Sequence, residues 1–318
     1  MKKILALILV MLMVFSFVAC GTTDTTGDGS TDSDTSTGEG TGTGEETGTG
    51  GNESTGGNES TGNNGNTITF TGEVLINNDE CKVEITEVSN DSIWGFTLKT
   101  TLENKSAEKT YMFSVESASI NGIECDPYFA SEVAPGKKAN KEITFSTTQL
   151  DSREITECTD IELTVRVYDS NDWSADNVAR ETVHIYPYGQ DKAVKYVRIP
   201  SATDNVILDN DYATVMVIGY EMDSIWGYKV HLFLVNKTEN NIMFSVNEAS
   251  VNGYMADPYY SASVRPGLCS FGYMSWSTTT FENNGITEVE EIEFNLRVYN
   301  YDDWSADDYA NEVITLNP

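Results

Sequence analysis

Apolar and polar residues alternate with a period of two through most of the chain beyond residue 68. Trp94, Phe96, Leu98, Thr100 and Leu102 hold one phase, and Gly95, Thr97, Lys99, Thr101 and Glu103 hold the other. A strand turns successive side chains to opposite faces, so this pattern predicts strands with one buried face. The signal recurs at Cys81/Val83/Ile85, Tyr111/Phe113/Val115, Ile143/Phe145, Ile161/Leu163/Val165/Val167 and Val183/Ile185. With a first strand near Val74 to Ile76, about seven are expected in this stretch.

The series is then written a second time. Trp226, Tyr228, Val230, Leu232 and Leu234 repeat the phase of the Trp94 segment, DSIWG at Asp91 to Gly95 returns at Asp223 to Gly227, and DWSAD at Asp172 to Asp176 returns at Asp303 to Asp307. MFSV at Met112 and Met243, NG at Asn121 and Asn252, and DPY at Asp126 and Asp257 fall at matching places. The offset changes once, from 132 to 131, after Asn104-Lys105-Ser106 and Asn236-Lys237-Thr238, as suits a loop. Asn-Gly favours a tight hairpin because both residues tolerate positive φ, and Pro135-Gly136 and Pro266-Gly267 are turn pairs. The polar stretches Thr147 to Arg153 and Thr278 to Asn284 are expected to form one helical turn each.

Short antiparallel strands repeated in two halves predict an all-β chain of two tandem immunoglobulin-like antiparallel β-sandwiches, residues 68–190 and 191–318. The order N-K-[ST], FSV, NG, DP, PG and [IL]E[LF]-x-[VL]-R-V-Y before an acidic loop resembles the telokin-like, immunoglobulin-like extracytoplasmic domains of unknown function found in Gram-positive lipoproteins. That resemblance covers both copies and implies a fold and a location, not an activity.

The N-terminus adds the location independently. Lys2 and Lys3 precede an apolar run from Ile4 to Val14, and Phe17-Val18-Ala19-Cys20 follows. This is the layout of an export signal, with an apolar run shorter than the ~20 residues a membrane span needs. Residues 1–20 resemble a lipoprotein signal peptide whose lipobox ends at Cys20, which implies a diacylated Cys20 held at the membrane. Residues 21–67 are nearly all Gly, Thr, Ser, Asn, Asp and Glu, with no aromatic and no Lys or Arg. Such a segment cannot bury enough apolar surface to order itself and is expected to be a disordered tether spanning about 35–40 Å. The expected location is the extracytoplasmic face of the cell membrane, exposed at the surface.

Charge narrows the partners. The formal charge is −31, and residues 68–318 alone hold 41 acids against 17 Lys and Arg, a balance of −24. No clustered basic surface is visible, which argues against nucleic acid. Cys81, Cys125 and Cys158 align with Ala213, Ala256 and Val289, so they look like small core residues, while Cys269 aligns with Lys138. A Cys125–Cys158 bridge stays open as an alternative within the first copy.

The register also sorts the candidates for chemistry. Trp94, Trp226 and Trp276 fall in the buried phase and are expected in the cores. His231 matches Lys99 and His184 matches Thr315, both outward, so no nucleophilic triad, His-based metal site or cofactor is implied. No glycine-rich phosphate loop opens a helix. The outward pairs Arg166/Tyr168 and Arg297/Tyr299 are expected to pack across strands. What remains is the loop after the sixth strand: Asp169, Asp172, Trp173 and Asp176 in the first copy, and Asn300, Asp303, Trp304 and Asp307 in the second. One expectation is architectural, with Asp and Asn fixing turns and the indole folding back as a lid. Another is sugar recognition, with the ring stacking on C–H faces and carboxylates accepting hydroxyls. A calcium-assisted variant is weaker, because the EF-hand spacing fails. Tyr128 and Phe129, with Tyr259 and Tyr260, form a second candidate surface, suited to a protein partner or to closing an edge. The expected function is a non-enzymatic surface module for extracytoplasmic protein–protein interaction or a structural envelope role, with glycan or cell-wall binding through the DWSAD loops as the alternative.

Overall fold

The computed structural model describes residues 67–91, 93–223 and 227–318. The signal segment with Cys20, the tether through residue 66 and Trp226 lie outside the described residues.

The first copy contributes β1 (Glu73–Asn77), β2 (Cys81–Asp91), β3 (Gly95–Asn104), β4 (Tyr111–Ile120), β5 (Ile123–Cys125), β6 (Ala130–Val133), β7 (Lys138–Ser146), α1 (Thr147–Ser152), β8 (Ile161–Asp169) and β9 (Ala179–Ile185). The second repeats the order as β10 (Asn205–Asp209), β11 (Ala213–Asp223), β12 (Gly227–Asn236), β13 (Ile242–Val251), β14 (Tyr254–Met255), β15 (Ser261–Val264), β16 (Cys269–Trp276), α2 (Thr278–Asn284), β17 (Ile292–Asn300) and β18 (Ala310–Leu316). In the first copy β1-β2-β3-β7 forms one sheet and β5-β4-β8-β9 the other, with β6 also on β4. The second copy has the same order, β10-β11-β12-β16 and β14-β13-β17-β18, with β15 on β13. The chain is thus all-β, and the connections from β3 to β4 and from β7 to β8 cross between sheets as in immunoglobulin-type sandwiches.

The inward phase fills the cores as the alternation requires: Phe96, Leu98 and Leu102 of β3 and Val230, Leu232 and Leu234 of β12 are buried. The hairpins after β4 and β13 have positive φ at both central residues, 54° and 83° at Asn121-Gly122 and 51° and 79° at Asn252-Gly253. These asparagines also hold a neighbouring loop. Asn121 Oδ1 accepts from the N–H groups of Thr159 and Asp160, and Asn252 Oδ1 from those of Glu290 and Glu291. Asn104 and Asn236 are buried, and each donates to two carbonyls, of Lys109 and Val133 and of Asn240 and Val264. The shared N-K-[ST] and NG motifs therefore close loops.

One expectation is corrected and one alternative is closed. Trp94 is 70% exposed, not in the core. The β2–β3 ladder begins at Asp91↔Gly95, so Trp94 sits in the turn, outside the pleat that would have fixed its phase. The Cys125–Cys158 bridge is not formed: Cys81, Cys125, Cys158 and Cys269 are free and buried. Trp276 does lie in the core, its indole N–H donating to the carbonyl of Ala256 at 2.7 Å.

The copies meet through residues that differ between them. Phe233, Phe271, Met216, Ile218 and Val235 pack against the first copy's core, although they lie on the face of β11, β12 and β16 that points away from their own. Their counterparts in the first copy are Thr101, Asn140, Glu84, Thr86 and Glu103. Phe233, Phe271 and Tyr196 of the connecting segment form an edge-packed aromatic group, with centroids 5.0 to 6.1 Å apart. Arg265, whose counterpart is Ala134, bonds both oxygens of Glu124 and also pairs with Glu162. A parallel bridge, Cys269↔Ile123, links β16 to β5.

Candidate functional site

Turn chemistry builds the DWSAD loops. Asp172 Oδ1 accepts from the backbone N–H and the hydroxyl of Ser174 at 3.2 and 2.7 Å, and Asp303 does the same with Ser305 at 3.0 and 2.7 Å. These bonds, the hydroxyl's first, hold both carboxyls below the usual range. Asp169 Oδ1 accepts from the N–H of Asn171, and Asn300 Oδ1 from those of Asp302 and Asp303. One oxygen on each of these four side chains is thereby committed to the loop.

The indoles do not fold back. Trp173 is 79% and Trp304 70% exposed, which overturns the lid. Trp304 is nonetheless fixed: its N–H donates to the carbonyl of Tyr301 at 3.0 Å, and its ring meets Tyr299 edge-on at 5.6 Å. Tyr299 is in turn packed under Arg297, whose guanidinium lies 4.4 Å from the ring centroid, and Arg166 covers Tyr168 at the same distance. Asp176 and Asp307 are exposed. Among the described residues no group of three or more His, Cys, Asp or Glu side chains is placed to hold a metal ion.

The Asp-Pro-Tyr segments split between surface and core. Phe129 packs against the first core and Tyr260 against the second, where the buried Tyr260 hydroxyl lacks a hydrogen-bond partner and desolvation pushes its pKa up. Tyr128 and Tyr259 are 89% and 77% exposed. They are not equivalent in backbone. Tyr128 has φ 48°, with its N–H on Asp126 Oδ1, while Tyr259 is extended onto β16, donating to the carbonyl of Ser275 at 2.8 Å and accepting its N–H at 3.3 Å.

No family model and no curated protein matches this chain. Among solved structures it is similar to red sea bream transglutaminase at 9% identity, over 76% of this chain and 31% of that one, with a TM-score of 0.23. A likeness of that size carries neither fold nor activity, and the site is argued from its own geometry.

One feature had no candidate status in the sequence. Trp94, displaced from the core, and Tyr128 both line an open groove of about 650 Å³, whose floor is the row Ser89, Thr97 and Thr144 across β2, β3 and β7. The amide of Gln149 donates to the carbonyl of Asp126 at 2.7 Å and ties α1 to the Asp-Pro-Tyr loop. The available signal was Gly95. A Cβ there would lie 2.0 Å from the carbonyl oxygen of Phe145, and Gly227 meets Trp276 in the same way. A glycine pressed against the neighbouring strand marks the end of the pleat, so the residue before it need not follow the strand's phase.

Proposed function

We propose that this chain is a lipid-anchored extracytoplasmic binding protein, held at the membrane through Cys20 and engaging a partner protein through exposed aromatic loops. The observation that carries the reading is the exposure of Trp173 and Trp304 on loops whose turns are held by one oxygen each of Asp172 and Asp303. An indole left in water forgoes hydrophobic free energy that a partner's surface recovers, and tryptophans are common anchors of interfaces. No catalytic group is assigned.

Glycan binding is the second reading, and the fixed pose of Trp304 favours it. A ring held by its N–H and by Tyr299 and still 70% exposed has apolar surface for stacking on a sugar. The test presents envelope proteins and wall glycans separately to the immobilised chain and to Trp173→Ala/Trp304→Ala. Retention of a protein fraction, lost in the double variant, supports the first reading; retention of glycan alone supports the second. Equal retention by both chains removes the loops from either role.

A further inference from the structure

We infer that the groove lined by Trp94 and Tyr128 binds a neutral saccharide, its pyranose rings packed on the aromatic side chains and its hydroxyls on the strand row beneath them. The site shares no residue with the DWSAD loops and goes beyond the reading given to them. Its floor is Ser89, Thr97 and Thr144, cross-strand neighbours on β2, β3 and β7, and the hydroxyls of Thr97 and Thr144 lie 3.1 Å apart. Trp94 and Tyr128, 70% and 89% exposed, supply apolar rings, and Asp126 and Glu142 are exposed carboxylates in the lining.

The copies differ along this row. Glu221, Lys229 and Ser275 stand where Ser89, Thr97 and Thr144 do, and Tyr273 stands for Glu142. There Lys229 lies 3.8 Å from Glu221 and 5.4 Å from the centroid of the Tyr273 ring, with its side chain 12% exposed, so a long stem and an ion pair cover the strands. The first copy has short hydroxyl side chains instead, and the groove above them holds about 650 Å³, within the ~300–1,000 Å³ of small-molecule sites. Its two aromatic loops are both tied to α1. Thr147 Oγ1 donates to the carbonyl of Ile93, next to Trp94, at 3.4 Å, and the Gln149 amide donates to that of Asp126 at 2.7 Å. Asp126 Oδ1 in turn accepts the Tyr128 N–H and holds that residue at its φ of 48°. Walls fixed in advance lose little freedom when a ligand arrives.

The lining selects the class of ligand. Ionised carboxylates only accept hydrogen bonds, whereas serine and threonine hydroxyls donate and accept, so a ligand rich in hydroxyls satisfies both. A purely apolar ligand would leave these groups desolvated and unpaired. An anion would meet Asp126 and Glu142, with no Lys or Arg among the described lining residues. Pyranose rings combine hydroxyl edges with C–H faces that pack on aromatic rings.

The probes are cellohexaose, maltohexaose and mannohexaose, with hexagalacturonate as the anionic counterpart, each titrated calorimetrically into the intact chain. At least one neutral hexasaccharide should bind saturably, and roughly tenfold or more tightly than hexagalacturonate. Trp94→Ala should weaken that binding roughly tenfold. Ser89→Glu/Thr97→Lys, which writes the second copy's pair into the first, should abolish it. Glu142→Gln, an exposed change that keeps size and removes charge, should weaken it several-fold at an unchanged melting temperature. Trp173→Ala/Trp304→Ala should bind as the parent does, which separates failure here from failure of the tryptophan loops. Absence of saturable binding by every neutral hexasaccharide, a preference for hexagalacturonate, or full binding by Ser89→Glu/Thr97→Lys overturns the inference. So does Trp94-dependent capture of an envelope protein by a chain that binds no saccharide.

Discussion

Residues shared by the copies mostly fold the chain. Asn104 and Asn236 are buried and bonded to two carbonyls each, and Asp172 and Asp303 cap equivalent turns. The cysteines belong to the same class of packed residues. Burial pushes the Cys81 thiol up to about 11 and those of Cys125 and Cys269 up to about 12, with Cys158 raised further. The nucleophilic thiolate is therefore scarce at neutral pH and shielded from reagent. Under native conditions at pH 8 these four thiols should react with a chromogenic disulfide far more slowly than after denaturation. Rapid stoichiometric labelling of the native chain would show that the cores open. Aligning the copies marked Cys81, Cys125 and Cys158 as small core residues, and they are buried, but it set Cys269 opposite Lys138 and gave no sign of its place at the junction, where its thiol meets the carbonyl of Gly122.

At the scale of elements, the alternating pattern was legible because burial on one face enforces a period of two wherever the ladder exists. Phe96, Leu98 and Leu102 obey it; Trp94, one residue outside the ladder, does not. The positive φ of Gly95, 113°, together with the close approach to Phe145, makes the end of that ladder a glycine position. Gly95→Ala should destabilise the chain by more than about 1 kcal/mol, because an alanine at positive φ is strained and its Cβ must displace backbone. Chemical denaturation of the variant beside the parent checks this, and an unchanged midpoint would mean that the β2–β3 turn is not held in this conformation. The short strands β5, β6, β14 and β15 had too few residues for periodicity.

The whole molecule is joined by its asymmetry. Comparing the repeats for agreement finds the folding residues, whereas the junction lies where they disagree: Phe233 for Thr101, Phe271 for Asn140, Arg265 for Ala134. Phe233 and Phe271 could have been read from the sequence as apolar residues in an outward phase, but only by treating mismatch as the signal. The junction also contains Arg198, which pairs with Asp204 at 2.9 Å through side chains 9% and 4% exposed and sits about equally near Phe233 and Phe271. Hydrogen bonds from Arg198 hold the Asp204 carboxyl below the usual range. A pKa lower in the folded chain than in the unfolded one stabilises above the unfolded value, about 3.9, and that contribution is lost as pH falls through the folded value. The melting temperature should fall below about pH 4, and Asp204→Asn should lower it at neutral pH while flattening the acid slope. An unaltered slope in the variant would assign the acid sensitivity to other carboxylates, Asp308 beside Arg297 among them.

With the junction occupied, the two sandwiches present their tryptophan loops from one body. Rotational correlation times from NMR relaxation, measured for the two sandwiches of the intact chain and of Phe233→Thr/Arg265→Ala/Phe271→Asn, test this directly. The parent should show one slow time common to both sandwiches, and the triple variant two shorter, separate times with both sandwiches still folded. Two independent times in the parent would contradict a fixed junction built by the residues in which the copies differ.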